Sequence, residues 1–247
     1  KDPQQTQEDF DIEKYFEIYL PQYFYKISHH IIFWKSDSKH LIDEQINLDT
    51  FAADPDNISI PLMNCFSLAD IEDIPAEINK LKTDPAEINN LQEKLGDKVT
   101  AHIKKAWPNH PVKIKFQINN TFLSFLVEDD KVKYKAKTSS QRSDGFRQFT
   151  SFLLTISAES ATNQLSNSLL LLDEPETHLH PQAQEYLKGE LIKITKNTEN
   201  NIVFFATHSN YMIDKNHIDR CYRVVKQNNK KTTLEEIKGA VSSYSEV

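Results

Sequence analysis

Glycine is scarce in this chain. Of 247 residues only four are glycine, Gly96, Gly145, Gly189 and Gly239, and none is followed by lysine. A phosphate-cradling loop of the GxxxxGK(S/T) type needs paired glycines and that lysine, so the sequence holds none. Cysteine is scarcer still: Cys65 and Cys221 form no metal-binding or redox spacing, which suits a reduced cytosolic setting. No apolar run approaches the length that spans a bilayer, and the opening KDPQQTQEDF is too polar for a signal peptide. Positive charge is not in excess. The formal net charge is -7, which does not favour nucleic acid over the whole surface. A cytoplasmic protein with no membrane partner is expected. The first residue is Lys1 rather than Met, which suits a piece of something longer.

What is present is enough for a packed core, with 38% hydrophobic and 26% charged residues. Residues 11–20 carry Ile12, Tyr15, Phe16 and Tyr19 at near-helical spacing before Pro21. Residues 30–34 read as a short strand. Two near-copies, PAEINKL from Pro75 and PAEINNL from Pro85, read as helix starts, the second running to about Trp107. Asp84 before Pro85 is an N-cap followed by proline at the first helical position. From Pro111 the pattern changes. VKIKFQI, FLSFLVE and KVKYKAK alternate with period two and predict an antiparallel three-strand meander. Residues 145–159 predict a helix with Phe146, Phe149, Phe152, Leu153 and Ile156 on one face.

The stretch SLLLLDEPETHLHPQAQ follows. Its four leucines predict a parallel strand covered on both faces. Pro181 opens a helix, and IVFFATH is a second such strand, so the segment predicts a right-handed βαβ unit. The C-terminus reads as a hairpin of CYRVVKQ against TTLEEIK.

In an open α/β sheet, ligands sit beyond the carboxyl ends of the strands. Asp173 and Glu174 lie at that end of one strand, and His208 at that end of the next. Two carboxylates ending an apolar strand cost several kcal/mol unless a cation or donors satisfy them. Magnesium would do so, with Asp173 in its shell, commonly through water. Glu174 would then orient or deprotonate an attacking water, and His208 would sense or stabilise a phosphate. In RSDGF, Ser143 and Gly145 stand where a helix begins and free N–H groups bind phosphate. A plain serine N-cap explains the same residues. A rival arrangement would have His178, His180, His208, Asp173 and Glu174 ligate a transition metal in a hydrolase. Lys131, Lys133, Lys135 and Lys137 share one strand face, with Lys113 and Lys115 on a neighbour. They read as a solvated sheet face, with a nucleic-acid backbone track as the alternative.

These motifs resemble a known family. LLLLDEPETHLHP resembles the Walker B strand and D-loop of ABC-type ATPase heads, RSDGF their signature loop and FFATHS their switch-histidine loop, in the same order and spacing. SQRSDGFRQFTSFLL and THSNYMID are similar to the overcoming-lysogenization-defect (OLD) group and related defence ATPases, cousins of structural-maintenance-of-chromosomes (SMC) heads. The specific part of the match covers residues 111–214. Asp144 stands where transporter-type signatures have a small residue.

The resemblance implies an α/β fold: the C-terminal lobe of such a head, with a parallel βαβ core, an antiparallel meander and a helical insertion. Residues 1–110 would form a mixed, mainly helical arm, and residues 111–247 the lobe. ATP and magnesium would be the cofactors. Two heads would sandwich ATP as a homodimer, with Arg142, Ser143 and Gly145 meeting the phosphates held by the other head. The Walker A portion would come from a segment or chain outside this sequence. The complete protein would be an ATPase controlling a nuclease or toxin effector in DNA processing or anti-phage defence. A non-hydrolysing scaffold that keeps the fold is the alternative.

Overall fold

The structure, a computed structural model, describes residues 29–108, 110–129, 135–161, 165–196, 200–227 and 231–237. The helix expected over residues 11–20 lies outside the described residues, as do Lys131 and Lys133 of the lysine strand.

The chain enters through β1 (His30–Trp34) and β2 (Gln45–Asn47). Five helices follow: α1 (Leu48–Ala53), α2 (Pro55–Ile58), α3 (Ile60–Leu68), α4 (Ile74–Leu81) and α5 (Pro85–Ala106). Both near-copies start helices as expected, because each has an aspartate whose carboxylate accepts a first-turn N–H, Asp73 from Ala76 and Asp84 from Ala86. Then come β3 (Val112–Asn119), β4 (Phe122–Asp129) and β5 (Lys137–Thr138). Helix α6 (Asp144–Phe152) continues through a π turn, Leu153–Ser157, into Ala158–Ala161. Strand β6 (Ser168–Asp173), helix α7 (Pro181–Lys196) and β7 (Ile202–Ala206) form the βαβ unit, and β8 (Tyr222–Lys226) pairs with β9 (Thr232–Glu236) as the terminal hairpin.

Two sheets carry the fold. One is parallel, in the order β1-β6-β7. The other is antiparallel, in the order β2-β4-β3, with β5 pairing the far end of β4. The alternation read in VKIKFQI is literal: Val112, Ile114, Phe116 and Ile118 are buried and the residues between them face outward. Both sheets cross the division expected at residue 110, since β1 pairs with β6 and β2 with β4.

A single apolar cluster joins the layers, and the phenylalanines of α6 lie in it beside Trp34, Leu170 and Leu172. In the π turn the Ala158 N–H reaches the carbonyls of both Leu153 and Thr155, and groups outside the helix meet the same two carbonyls. His102 Nε2 contacts the Leu153 carbonyl at 3.0 Å, and Asn64 Nδ2 donates to that of Thr155 at 3.2 Å.

One expectation is corrected. The four-leucine strand is not covered on both faces by the described residues. In register, Ile32, Leu170 and Val203 face the core, as do Trp34, Leu172 and Phe205. The opposite face presents Ile31, Leu169, Ile202, Phe33, Leu171 and Phe204, of which Ile31 is 69% and Phe204 60% exposed. Apolarity on both faces is a property of the sequence, but cover depends on what packs there.

Candidate active site at the strand ends

Asp173 ends β6 opposite Ala206, the last residue of β7. The next residue, Glu174, turns off the strand with φ 44° while its N–H still donates to the Ala206 carbonyl at 3.1 Å. A left-handed conformation at a residue with a Cβ costs about 1–2 kcal/mol, and here it ends the strand within one residue. His208 lies two residues beyond Ala206. Its Nε2 is 3.0 Å from Glu174 Oε1, and both side chains are open to solvent. Glu174 and His208 are therefore brought together, with Asp173 beside them at the mouth of the parallel sheet.

The loop after Glu174 is tightly held. Thr177 donates through both its N–H and its hydroxyl to the Glu174 carbonyl, at 3.1 and 2.8 Å. Glu176, which the sequence reading passed over, is 5% exposed. Its Oε1 accepts from the Thr207 hydroxyl and from the His208 N–H, the latter at 3.2 Å. These partners lie more than thirty residues away in the chain, and no local spacing in DEPETHLHP announces them.

Ser143 caps α6, with its hydroxyl accepting from the Phe146 N–H at 3.3 Å. Gly145 follows in the first turn. A Cβ built on it would lie 2.2 Å from the His178 carbonyl oxygen. The glycine expected to admit a phosphate thus also admits the backbone of the loop after β6. His178 is itself left-handed, with φ 64°. Gln148 Nε2 adds a bond to the Pro175 carbonyl at 3.3 Å.

Arg142 is engaged within its own chain. Two of its nitrogens donate to the two carboxylate oxygens of Asp129, each at 2.9 Å, and its guanidinium lies 4.6 Å from the Phe146 ring centre. That fork holds the Asp129 carboxyl below its ordinary range. Burial, and then the Arg142 charge, lowers the basicity of His110 nearby. Arg142, Phe146 and His110 wall a cavity of about 450 Å³ that also touches Ser143, Gly145, His178 and His180. His178 and His180 thus face the α6 side, while His208 pairs with Glu174. Among the described residues no group of three or more His, Cys, Asp or Glu side chains is placed to hold a metal, so the transition-metal arrangement is not assembled. Of the expected lysine face, Lys115 is paired with Glu128 at 2.5 Å.

The fold is a parallel βαβ core with an acidic pair and a histidine at adjacent strand ends, as suits an ATPase-type α/β head. The chain belongs to the family described as "AAA domain, putative AbiEii toxin, Type IV TA system", which matches residues 22–214. The OLD-group relation expected from the motifs is borne out. The chain is 31% identical to the Old nuclease of Escherichia phage P2 over 98 residues, 38% of this chain and 16% of that protein. It is 26% identical to an uncharacterised protein of Methanocaldococcus jannaschii over 137 residues, 53% of this chain and 35% of that one. The chain therefore matches well under half the length of either relative. An SMC ATPase structure, from work on ATP-driven dimerization and DNA-stimulated activation, overlays 57% of this chain and 82% of that one. The overlay has 16% identity and a TM-score of 0.43. No described helix is long and apolar enough to cross a membrane.

Proposed function

We propose that the chain supplies the hydrolytic half of an ATP site in an ABC-type head, and that the complete protein is an ATPase. The observation that carries this reading is the Glu174–His208 pair, 3.0 Å apart at the carboxyl ends of neighbouring parallel strands. Glu174 takes the proton of the attacking water, or orients that water, for in-line attack on the γ-phosphate. His208 is assigned to meet charge developing on the phosphoryl oxygens, a role its contact with Glu174 supports.

Asp173, an exposed carboxylate beside this pair, suits magnesium. Magnesium is commonly held by one or two carboxylates together with substrate phosphates and water, and when bound it neutralises phosphate charge. Arg142, Ser143 and Gly145 are assigned to the phosphates held by a second head. The reading is supported by the place of Ser143 and Gly145 at the start of α6, where N–H groups lack helical acceptors.

The phosphate loop is assigned to another segment or chain. The face of the parallel sheet that the described residues leave uncovered supports this, since contiguous apolar surface of this kind marks a contact site. By analogy with the Old nuclease, the head would act on a nuclease or toxin effector, in DNA processing or defence.

The test is Glu174→Gln in the complete protein. ATP binding should persist and hydrolysis should slow by roughly two to four orders of magnitude, the reach of a general base. The variant should accumulate as an ATP-bound dimer. Turnover at the wild-type rate would remove Glu174 from its role and this reading with it.

A further inference from the structure

We infer that Glu176 is the positioning residue for His208, acting as a hydrogen-bond acceptor that fixes the backbone of the histidine-bearing loop. The inference rests on the reading of His208 proposed above.

The His208 ring is 88% exposed, so packing does not hold it. Its backbone is what is held. Glu176 Oε1 accepts from the Thr207 hydroxyl and the His208 N–H, and the Thr207 hydroxyl oxygen accepts in turn from the Ser209 N–H at 3.0 Å. Ser209 Oγ meets Gln184 Oε1, and Gln184 Nε2 donates to the Leu179 carbonyl at 2.8 Å. Three consecutive residues are thus tied to the loop and helix that follow β6.

A carboxyl is a poor choice if only packing were at stake. Glu176 is 5% exposed, it has no ion pair among the described residues, and its Oε2 has no hydrogen-bond partner among them. Leaving such an oxygen unsatisfied costs on the order of 1–3 kcal/mol or more. Departures of this kind concentrate where function sets the geometry. What Glu176 gives in return is one oxygen serving two donors on the strand end that carries His208, in the loop whose first residue is Glu174. Catalytic groups misplaced by about 1 Å lose on the order of a hundredfold in rate.

The experiment compares Glu176→Ala with Glu176→Gln in the full-length protein, because the amide keeps an acceptor oxygen at the same reach. Hydrogen exchange is read by mass spectrometry over residues 202–212. The alanine variant should exchange at least tenfold faster there than wild type, with β6 unchanged, and glutamine should restore protection. For ATP turnover, alanine should lower kcat roughly 10- to 100-fold with KM within threefold, and glutamine should stay within threefold of wild type. Should the alanine variant fail to fold, Thr207→Val carries the same expectation for exchange. Unchanged exchange in that variant and in alanine, or a glutamine variant as impaired as alanine, would overturn the inference. The two arms keep it separate from the ATPase reading. If Glu174→Gln turns over normally while exchange follows the expected order, the ATPase reading fails and the positioning by Glu176 stands.

Discussion

Gly145→Ala should destabilise this protein, against the usual behaviour of a glycine within a helix. Replacing an interior helical glycine by alanine normally gains about 0.5–1 kcal/mol, an upper bound for Gly145 in the first turn. At Gly145 the new methyl would lie 2.2 Å from the His178 carbonyl oxygen and 3.1 Å from its carbon. The first distance is roughly 1 Å short of van der Waals contact. The obstacle is backbone, held on its N-terminal side by Thr177 on the Glu174 carbonyl and on its C-terminal side by the Leu179 N–H on the Glu176 carbonyl at 2.9 Å. It cannot swing aside as a side-chain tip would. Overpacking of this kind costs about 1–3 kcal/mol. Set against the propensity gain, the net should be a loss of about 1–2 kcal/mol, or roughly 2–8 °C in Tm for a chain of this size. Gly189 is the control: a Cβ there meets nothing within 4 Å, so Gly189→Ala should raise Tm slightly. Thermal unfolding followed by circular dichroism, wild type beside both variants, decides it. If Gly145→Ala melts at or above wild type while Gly189→Ala behaves as stated, the close packing of α6 on this loop is refuted.

Three further outcomes are expected. Cys65 is fully enclosed and burial pushes its thiol well up, while Cys221 is half-buried and raised too, first by burial and then by Asp214 and Asp219. A thiol reagent at pH 8 should therefore modify Cys221 slowly and Cys65 only on unfolding, and fast labelling of Cys65 in the native protein would contradict its packing. Burial lowers the His102 pKa from 6.5, outweighing its contact with the Leu153 carbonyl. The unfolded chain thus takes up this proton first, and the stability His102 contributes is lost as pH falls below about 6.5. Burial shifts Glu159 the opposite way, so the readout is the difference in Tm between wild type and His102→Gln. That difference should change between pH 7 and pH 5, and a constant one would be against it. Finally, Ser143→Arg should abolish ATP-driven dimerisation of the complete protein by light scattering, and unchanged dimerisation would place Ser143 outside the interface.

Much of the scaffold is legible because local signals produce it. Asp84–Pro85 caps a helix through its own carboxylate, Ser143 caps α6, and the alternation in residues 112–118 is set by the pleat of a half-buried strand. The strand-end group is legible for a similar reason: Asp173 and His208 follow apolar runs that can only be parallel strands, so topology carries them to one edge. The illegible parts are set across the chain. Arg142 reads as a phosphate ligand, and nothing near it in the sequence announces that Asp129, thirteen residues earlier, takes two of its donors. Gly145 reads as an opening for a ligand, and nothing local announces that the carbonyl of His178 also packs against it, in a left-handed turn that a histidine does not advertise.

The same reasoning says where the strand-end geometry is stored. Glu174 and His178 both hold left-handed backbones within one five-residue loop, and each such residue costs about 1–2 kcal/mol. A loop free to relax would relieve them. Here Thr177 bonds the Glu174 carbonyl, Gln148 the Pro175 carbonyl, Leu179 the Glu176 carbonyl, and Glu176 the start of the histidine loop. At about 1 kcal/mol net apiece, these bonds are of the right size to offset the strain, and they run from α6 on one side to β7 on the other. Helix α6 and the loop that carries His208 are thus both bonded to the same short segment after β6, which is where the strand-end geometry is held.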